Sequence, residues 1–146
     1  INFGVQSYLP YGPAINFFAR FGIATAIPTN QRLTALNVDV ETGEILEDYS
    51  APSTNATNEA FQRWLTITSK YGEILEPGYW DFPSPADIPV DLLTPFGEFA
   101  KLHKLEAAVP RIVTVSGVGY GGIRDLLTLN VLQAFGASLT KGQSTL

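Results

Sequence analysis

Apolar positions recur at helical spacing in several parts of the chain. After Pro13, a residue favoured in the first turn of a helix, Ile15, Phe18 and Ala19 share one face, and Gly22 supplies the stop. Farther on, Ala60, Phe61, Trp64, Leu65, Thr68 and Tyr71 fall on one side of a longer helix. Thr57 or Asn58 is its expected cap, and Pro77-Gly78 forbids continuation past about Leu75. Thr94-Pro95 reads as an N-cap and first-turn pair for a helix to about Lys104, burying Phe96, Phe99 and Leu102. A last helix is expected over Leu126 to Phe135.

Alternation replaces this spacing in "LTALNVDVETGEILEDYS". Leu36, Val38 and Val40 point one way, Thr42-Gly43 marks a turn, and Ile45 begins a return strand. Residues 2–8 alternate weakly and give a further short strand. The expected fold class is therefore α+β, mainly helical with a small antiparallel sheet or hairpin. The five prolines within residues 77–95 prevent regular ladders there. Tyr79, Trp80 and Phe82 lie among them, so the segment reads as a packed surface loop rather than a linker. No internal repeat is visible.

Composition narrows the classes. A chain of 146 residues with 45% apolar and 16% charged residues suits a single globular domain, not a disordered segment. No run approaches the roughly 18 apolar residues of a membrane span. Net charge is −5 and the basic residues are scattered, which excludes a nucleic-acid-binding face. Without cysteine there are no disulfides, thiol nucleophiles or thiolate metal sites. The chain opens on "INFGVQSY" and contains no Met, from which an excised segment of a longer protein is expected, with a processed mature protein as the alternative. Asn55-Ala56-Thr57 is a glycosylation triplet, expected in a polar loop.

Candidate chemistry is sparse. His103, the single histidine, stands between Lys101 and Lys104 at an expected helix end, the setting of a solvated helix-terminal histidine. Asp81, Asp87 and Asp91 match no calcium loop. Glu41, Glu44, Glu47 and Asp48 flank the expected turn and read as solvated. No G-x-S-x-G occurs.

The strongest motif is Gly117, Gly119 and Gly122, which satisfy G-x-G-x-x-G after the apolar run Ile112 to Val115. In a dinucleotide-binding turn the first glycine makes the bend, the second lets backbone approach a pyrophosphate, and the third packs helix on strand. The context departs from that pattern. No second strand pattern follows Phe135, and the last acid is Asp125, well short of the roughly 20-residue spacing of the ribose-binding acid. The preceding run also fits a helix, with Leu105, Val109, Ile112 and Val113 near one face and Pro110 as a local disturbance. The expected structure is a glycine-rich elbow leading into the last helix, with no phosphate bound.

"INFGVQSYLPYGPAINFFARFGI" resembles a segment of the FAD-dependent amine-oxidase-like flavoproteins. Asn2-Phe3-Gly4 takes the place of that family's acid-x-Gly strand, departing from it at Asn2, and Phe21-Gly22 ends the helix that follows. "DVETGEI", "EPGYWDFPSPADIPVDLLTPFGEFAKLHKLEAAVPRI" and "LNVLQAFG" are similar to a chiefly fungal FAD/NAD(P)-binding branch related to the cyclopiazonate dehydrogenases. The resemblance covers essentially the whole chain, and the Pro-rich loop with "LLTPFGEF" is its most specific part.

The resemblance implies the substrate-domain portion of an FAD-dependent oxidoreductase, with the FAD-binding Rossmann parts outside residues 1–146. It implies FAD in the parent protein, and a small organic substrate and the FAD-binding portion as partners. It places Gly4, Val5 and Gln6 nearest the isoalloxazine edge, and Tyr79, Trp80 and Phe82 along the substrate pocket, with plain core packing as the competing role for these aromatics. No metal and no catalytic residue is implied. The alternative is a free-standing, non-catalytic binding module for an apolar ligand.

Overall fold

A computed structural model describes residues 8–26, 36–39, 41–75, 78–119 and 122–143. The chain divides into two compact units, residues 1–51 and 52–146.

In the first unit α1 (Pro13–Arg20) begins at proline, as its sequence predicts. Its C-terminus closes as a Schellman motif. The N–H of Gly22 donates to Ala19 O at 3.1 Å and that of Ile23 to Phe18 O at 3.0 Å, with Gly22 at φ 65°. Among the described residues the expected small antiparallel sheet is not formed. The turn at Thr42–Gly43 closes, with the Asp39 carboxylate accepting from the N–H groups of Glu41 (2.8 Å) and Thr42 (3.0 Å). Pairing beyond it stops at one isolated antiparallel bridge, Val38 to Ile45. The reason is burial: Leu36, Val38 and Ile45 are all exposed, so alternation has no core face to cover, and a two-stranded pair with no further layer is marginal in water. Val40 and the strand expected at residues 2–8 (apart from Tyr8, which is in no regular element) lie outside the described residues.

The second unit is helical around one apolar core. Its axis is α2 (Thr54–Ser69), which turns Ala60, Phe61, Trp64 and Thr68 inward. The cap is Ser53, whose Oγ accepts from Ala56 N at 3.2 Å, so Thr57 and Asn58 lie inside the helix rather than at its start. The helix does not run to Leu75; it ends at Ser69, and a separate turn of helix, α3 (Gly72–Leu75), follows. A 3-10 turn at Pro85–Asp87 and the short α4 (Val90–Leu93) order the Pro-rich stretch and bury Leu92.

Next comes α5 (Phe96–Leu102), one residue later than expected at its start. Phe96 and Phe99 are buried, but Leu102 is 76% exposed. The helix stops there because the chain enters a second Schellman motif. Lys104 N–H donates to Lys101 O at 3.2 Å and Leu105 N–H to Ala100 O at 2.8 Å. Lys104 takes the left-handed position at φ 54°, and Arg63 donates twice to its carbonyl, at 3.1 and 2.9 Å.

A 3-10 turn at Glu106–Ala108 leads into α6 (Val109–Ser116). Pro110 sits in the first turn of α6, where it starts the helix instead of disturbing it. The elbow and a 3-10 turn at Ile123–Asp125 follow, then α7 (Thr128–Ala134) and α8 (Ala137–Gln143). Trp64 is the centre of the core. It meets Phe96 and Phe99 edge-on, at centroid distances of 5.7 and 6.3 Å, and donates its indole N–H to Phe135 O at 3.1 Å.

Candidate functional site

Of the residues picked out by sequence, Gly4, Val5 and Gln6 lie outside the described residues. The aromatic triplet is brought together but in two environments. Phe82 packs against the core, whereas Tyr79 is 44% and Trp80 83% exposed. The Tyr79 and Phe82 rings meet edge-on at 6.5 Å, and Phe82 N–H donates to Tyr79 O at 3.1 Å.

Two clefts are described in this unit, and the triplet lines neither. One, of about 330 Å³, lies beside the start of α5, with Phe96, Gly97, Lys101, Glu106, Arg124 and Asp125 on its walls. Gly97 lets the chain pass close to Arg124: a Cβ would stand 3.0 Å from Arg124 Cβ and 3.2 Å from Arg124 O, so Arg124 would have to give way by a few tenths of an ångström. The other, about 400 Å³, is an open groove formed by Gln62, Arg63, Thr66, Ile67 and His103. His103 caps α5 and leans on Phe99, with ring centroids 4.4 Å apart. Among the described residues no group of His, Asp or Glu is arranged to hold a metal ion.

A polar cluster that sequence reading missed joins the end of α2 to α4. Asp91 Oδ2 accepts from Lys70 Nζ at 3.2 Å and from Tyr71 Oη at 3.0 Å, and Lys70 Nζ lies 4.6 Å from the Tyr71 ring centroid. The hydrogen bonds from Lys70 and then Tyr71 hold the Asp91 carboxyl below its ordinary value. Lys70 is raised, first by Tyr71 and then by Asp91, and burial raises the Tyr71 phenol. No local pattern signals a partnership between residues twenty positions apart on either side of a Pro-rich loop. The cluster lines neither described cleft and acts as a tie between elements.

The glycine motif does not fit the pyrophosphate of FAD or of any dinucleotide. The element before it is the helix α6, and Gly117 ends that helix in the left-handed conformation, φ 68°. Gly119 also has φ 68°, and a Cβ there would stand 2.6 Å from Ile123 Cα. Its missing side chain makes room for the protein's own backbone, so the space a phosphate would use is filled. The glycosylation triplet likewise lies in the first turn of α2, not in a loop, and Thr57 Oγ1 donates to Ala107 O at 3.3 Å. No described helix is long and apolar enough to cross a membrane.

No family model matches the chain, and no solved structure matches it significantly. Curated proteins do. The chain is 29% identical to Beta-cyclopiazonate dehydrogenase of Aspergillus oryzae and 29% identical to the protein of that name in Aspergillus flavus, each over 97% of its own length. It is 30% identical to the FAD-dependent oxidoreductase pigF of Monascus ruber, again over 97% of its length. It spans 30% of the length of the dehydrogenases and 28% of that of the Monascus protein. The names of these relatives are those of a dehydrogenase and of an FAD-dependent oxidoreductase, and the chain matches less than a third of each.

Proposed function

We propose that residues 1–146 are the substrate-domain portion of an amine-oxidase-like flavoprotein, which oxidises a small organic substrate by hydride transfer to FAD. The observation that carries this reading is the coverage: similarity runs through 97% of this chain yet occupies less than a third of each relative. The misfit of the glycine elbow to a pyrophosphate supports it, because FAD would then be held by parts of the parent chain outside this segment. FAD supplies the redox chemistry when bound; this segment contributes shape and exclusion of water. In this reading Gly4, Val5 and Gln6 lie nearest the isoalloxazine edge. Tyr79, Trp80 and Phe82 lie along the substrate pocket in this reading, with Phe82 packed against the core and Tyr79 and Trp80 open to contact beyond the segment.

A free-standing module for an apolar ligand has less support, since charged residues line the 330 Å³ cleft and the 400 Å³ groove is open to solvent. Flavin retention tests the proposal. The full-length parent is expected to purify with FAD and show its visible absorbance, while residues 1–146 alone give no tight binding in a flavin-fluorescence titration. A flavin-free parent, or tight FAD binding by the 146-residue chain alone, would overturn the reading.

A further inference from the structure

We propose that the Tyr79–Trp80 turn is a docking anchor for the remainder of the parent chain. The inference rests on the reading above that this segment belongs to a longer protein. The chain has two tryptophans in opposite settings: Trp64 is fully buried and Trp80 is 83% exposed. A lone exposed apolar residue needs no account, but a tryptophan displayed by dedicated local structure does.

Three features build that display. Gly78 lets the indole lie close over the backbone; a Cβ there would stand 3.3 Å from both Cε2 and Nε1 of Trp80. Tyr79 adopts φ 61°, a conformation costly for a bulky side chain and held only where surroundings enforce it. Phe82 enforces it from below, packed on the core and bonded back to Tyr79 O at 3.1 Å. The tip is therefore presented on a fixed base. The Trp80 indole N–H finds no hydrogen-bond partner among the described residues, which leaves a large apolar face and one donor on offer. That combination is the usual anchor of a protein interface.

The occupant follows from shape and length. Small molecules are held in concave sites, and Trp80 stands out from the surface and lines neither described cleft. A protein surface suits it. The relatives carry more than two thirds of their length outside the matched region, so such a surface is available in the same polypeptide.

The test uses the full-length parent. Hydroxyl-radical footprinting compares Trp80 with Trp64 as an internal reference. Docking predicts that Trp80 is modified roughly tenfold more slowly in the native parent than in the denatured one, as an interface core would be. In parallel, Trp80→p-benzoylphenylalanine places a photo-cross-linker at the tip. Cross-links to the same chain outside residues 1–146 support the proposal. Cross-links within the segment or to a second copy would overturn it, as would protection that appears only when substrate is added, or an unprotected Trp80. Footprinting of the unaltered protein keeps the test decisive if the variant fails to fold. A parent that shows these cross-links but holds no flavin would sink the flavoprotein reading and leave the docking intact.

Discussion

At the scale of single residues, the glycines of the elbow show how spacing and environment separate. Gly117, Gly119 and Gly122 carry the arithmetic of a nucleotide turn, yet each answers to a different local demand. Gly119 combines a positive φ with a would-be Cβ 2.6 Å from the Ile123 backbone, whereas Gly122 has an extended φ of −170° and nothing nearer than 3.9 Å. Gly119→Ala should therefore cost about 2 kcal/mol or more, and Gly122→Ala no more than about 0.5 kcal/mol, in urea melts followed by Trp64 emission. Equal costs at the two sites would remove the packing account. Lys104 makes the converse case. A lysine holds the left-handed position that closes α5, and its bonds there, from Arg63 and to Lys101, run through its own backbone. Lys104→Gly keeps them all and relieves the strain, so the urea midpoint should rise by an amount worth about 0.5–1 kcal/mol; a fall would show that the lysine side chain contributes something unseen here. Neither position is legible from sequence, because nothing marks Lys104 as the place where an amphipathic pattern stops.

Among elements, periodicity was legible wherever a face is buried. The stripe of α2 is found inward at Ala60, Phe61, Trp64 and Thr68, and α5 buries Phe96 and Phe99. The pattern misleads where burial is missing: Leu36, Val38 and Ile45 alternate without a layer to cover, and Leu102 continues a stripe beyond the turn that ends its helix. Ends of elements depend on capping chemistry that several residues could supply, which is why Ser53 and not Thr57 starts α2. The tie between α2 and α4 is a tertiary pairing with measurable consequences. Asp91 is held below its ordinary 3.8, so its contribution is present above that value and lost as pH falls through the lowered one. Lys70 and Tyr71 are raised above 10.5 and 10.0, so theirs persists below those values and fades as pH climbs past them. The tie is at full strength between roughly pH 5 and pH 9. Lys70 and Asp91 are half exposed, 51% and 54%, which keeps the effect to at most about 1 kcal/mol and makes it sensitive to salt. Asp91→Asn should flatten the acid limb of a stability–pH curve at low ionic strength; an unchanged limb would show that the tie contributes nothing.

For the molecule as a whole, the decisive asymmetry is where apolar surface is removed from water. Every buried side chain among the described residues belongs to residues 52–146. Among the described residues of 1–51 no large apolar group is buried: Phe17, Phe21, Leu36 and Ile45 are all more than half exposed, Phe18 is only half-buried, and the aromatic contacts are local, such as Phe17 to Phe21 at 4.9 Å. Composition alone gives one average for the chain and cannot reveal this division, because apolar residues are frequent in both parts; what differs is whether their spacing lets one face meet another. The Trp64–Phe96–Phe99–Phe135 core is assembled within the second unit, so that unit has the cooperative burial a small domain needs, and the first has little to offset the entropy of ordering its chain. Residues 52–146 expressed alone should thus unfold in one sharp urea transition reported by Trp64, with near-ultraviolet circular dichroism from the packed rings. Residues 1–51 alone should show no cooperative transition. A broad, featureless melt of 52–146 would mean that its core needs more of the polypeptide than the contacts around Trp64 suggest. A sharp one would establish it as the rigid base from which Tyr79 and Trp80 project, which is the condition for that turn to serve as an anchor.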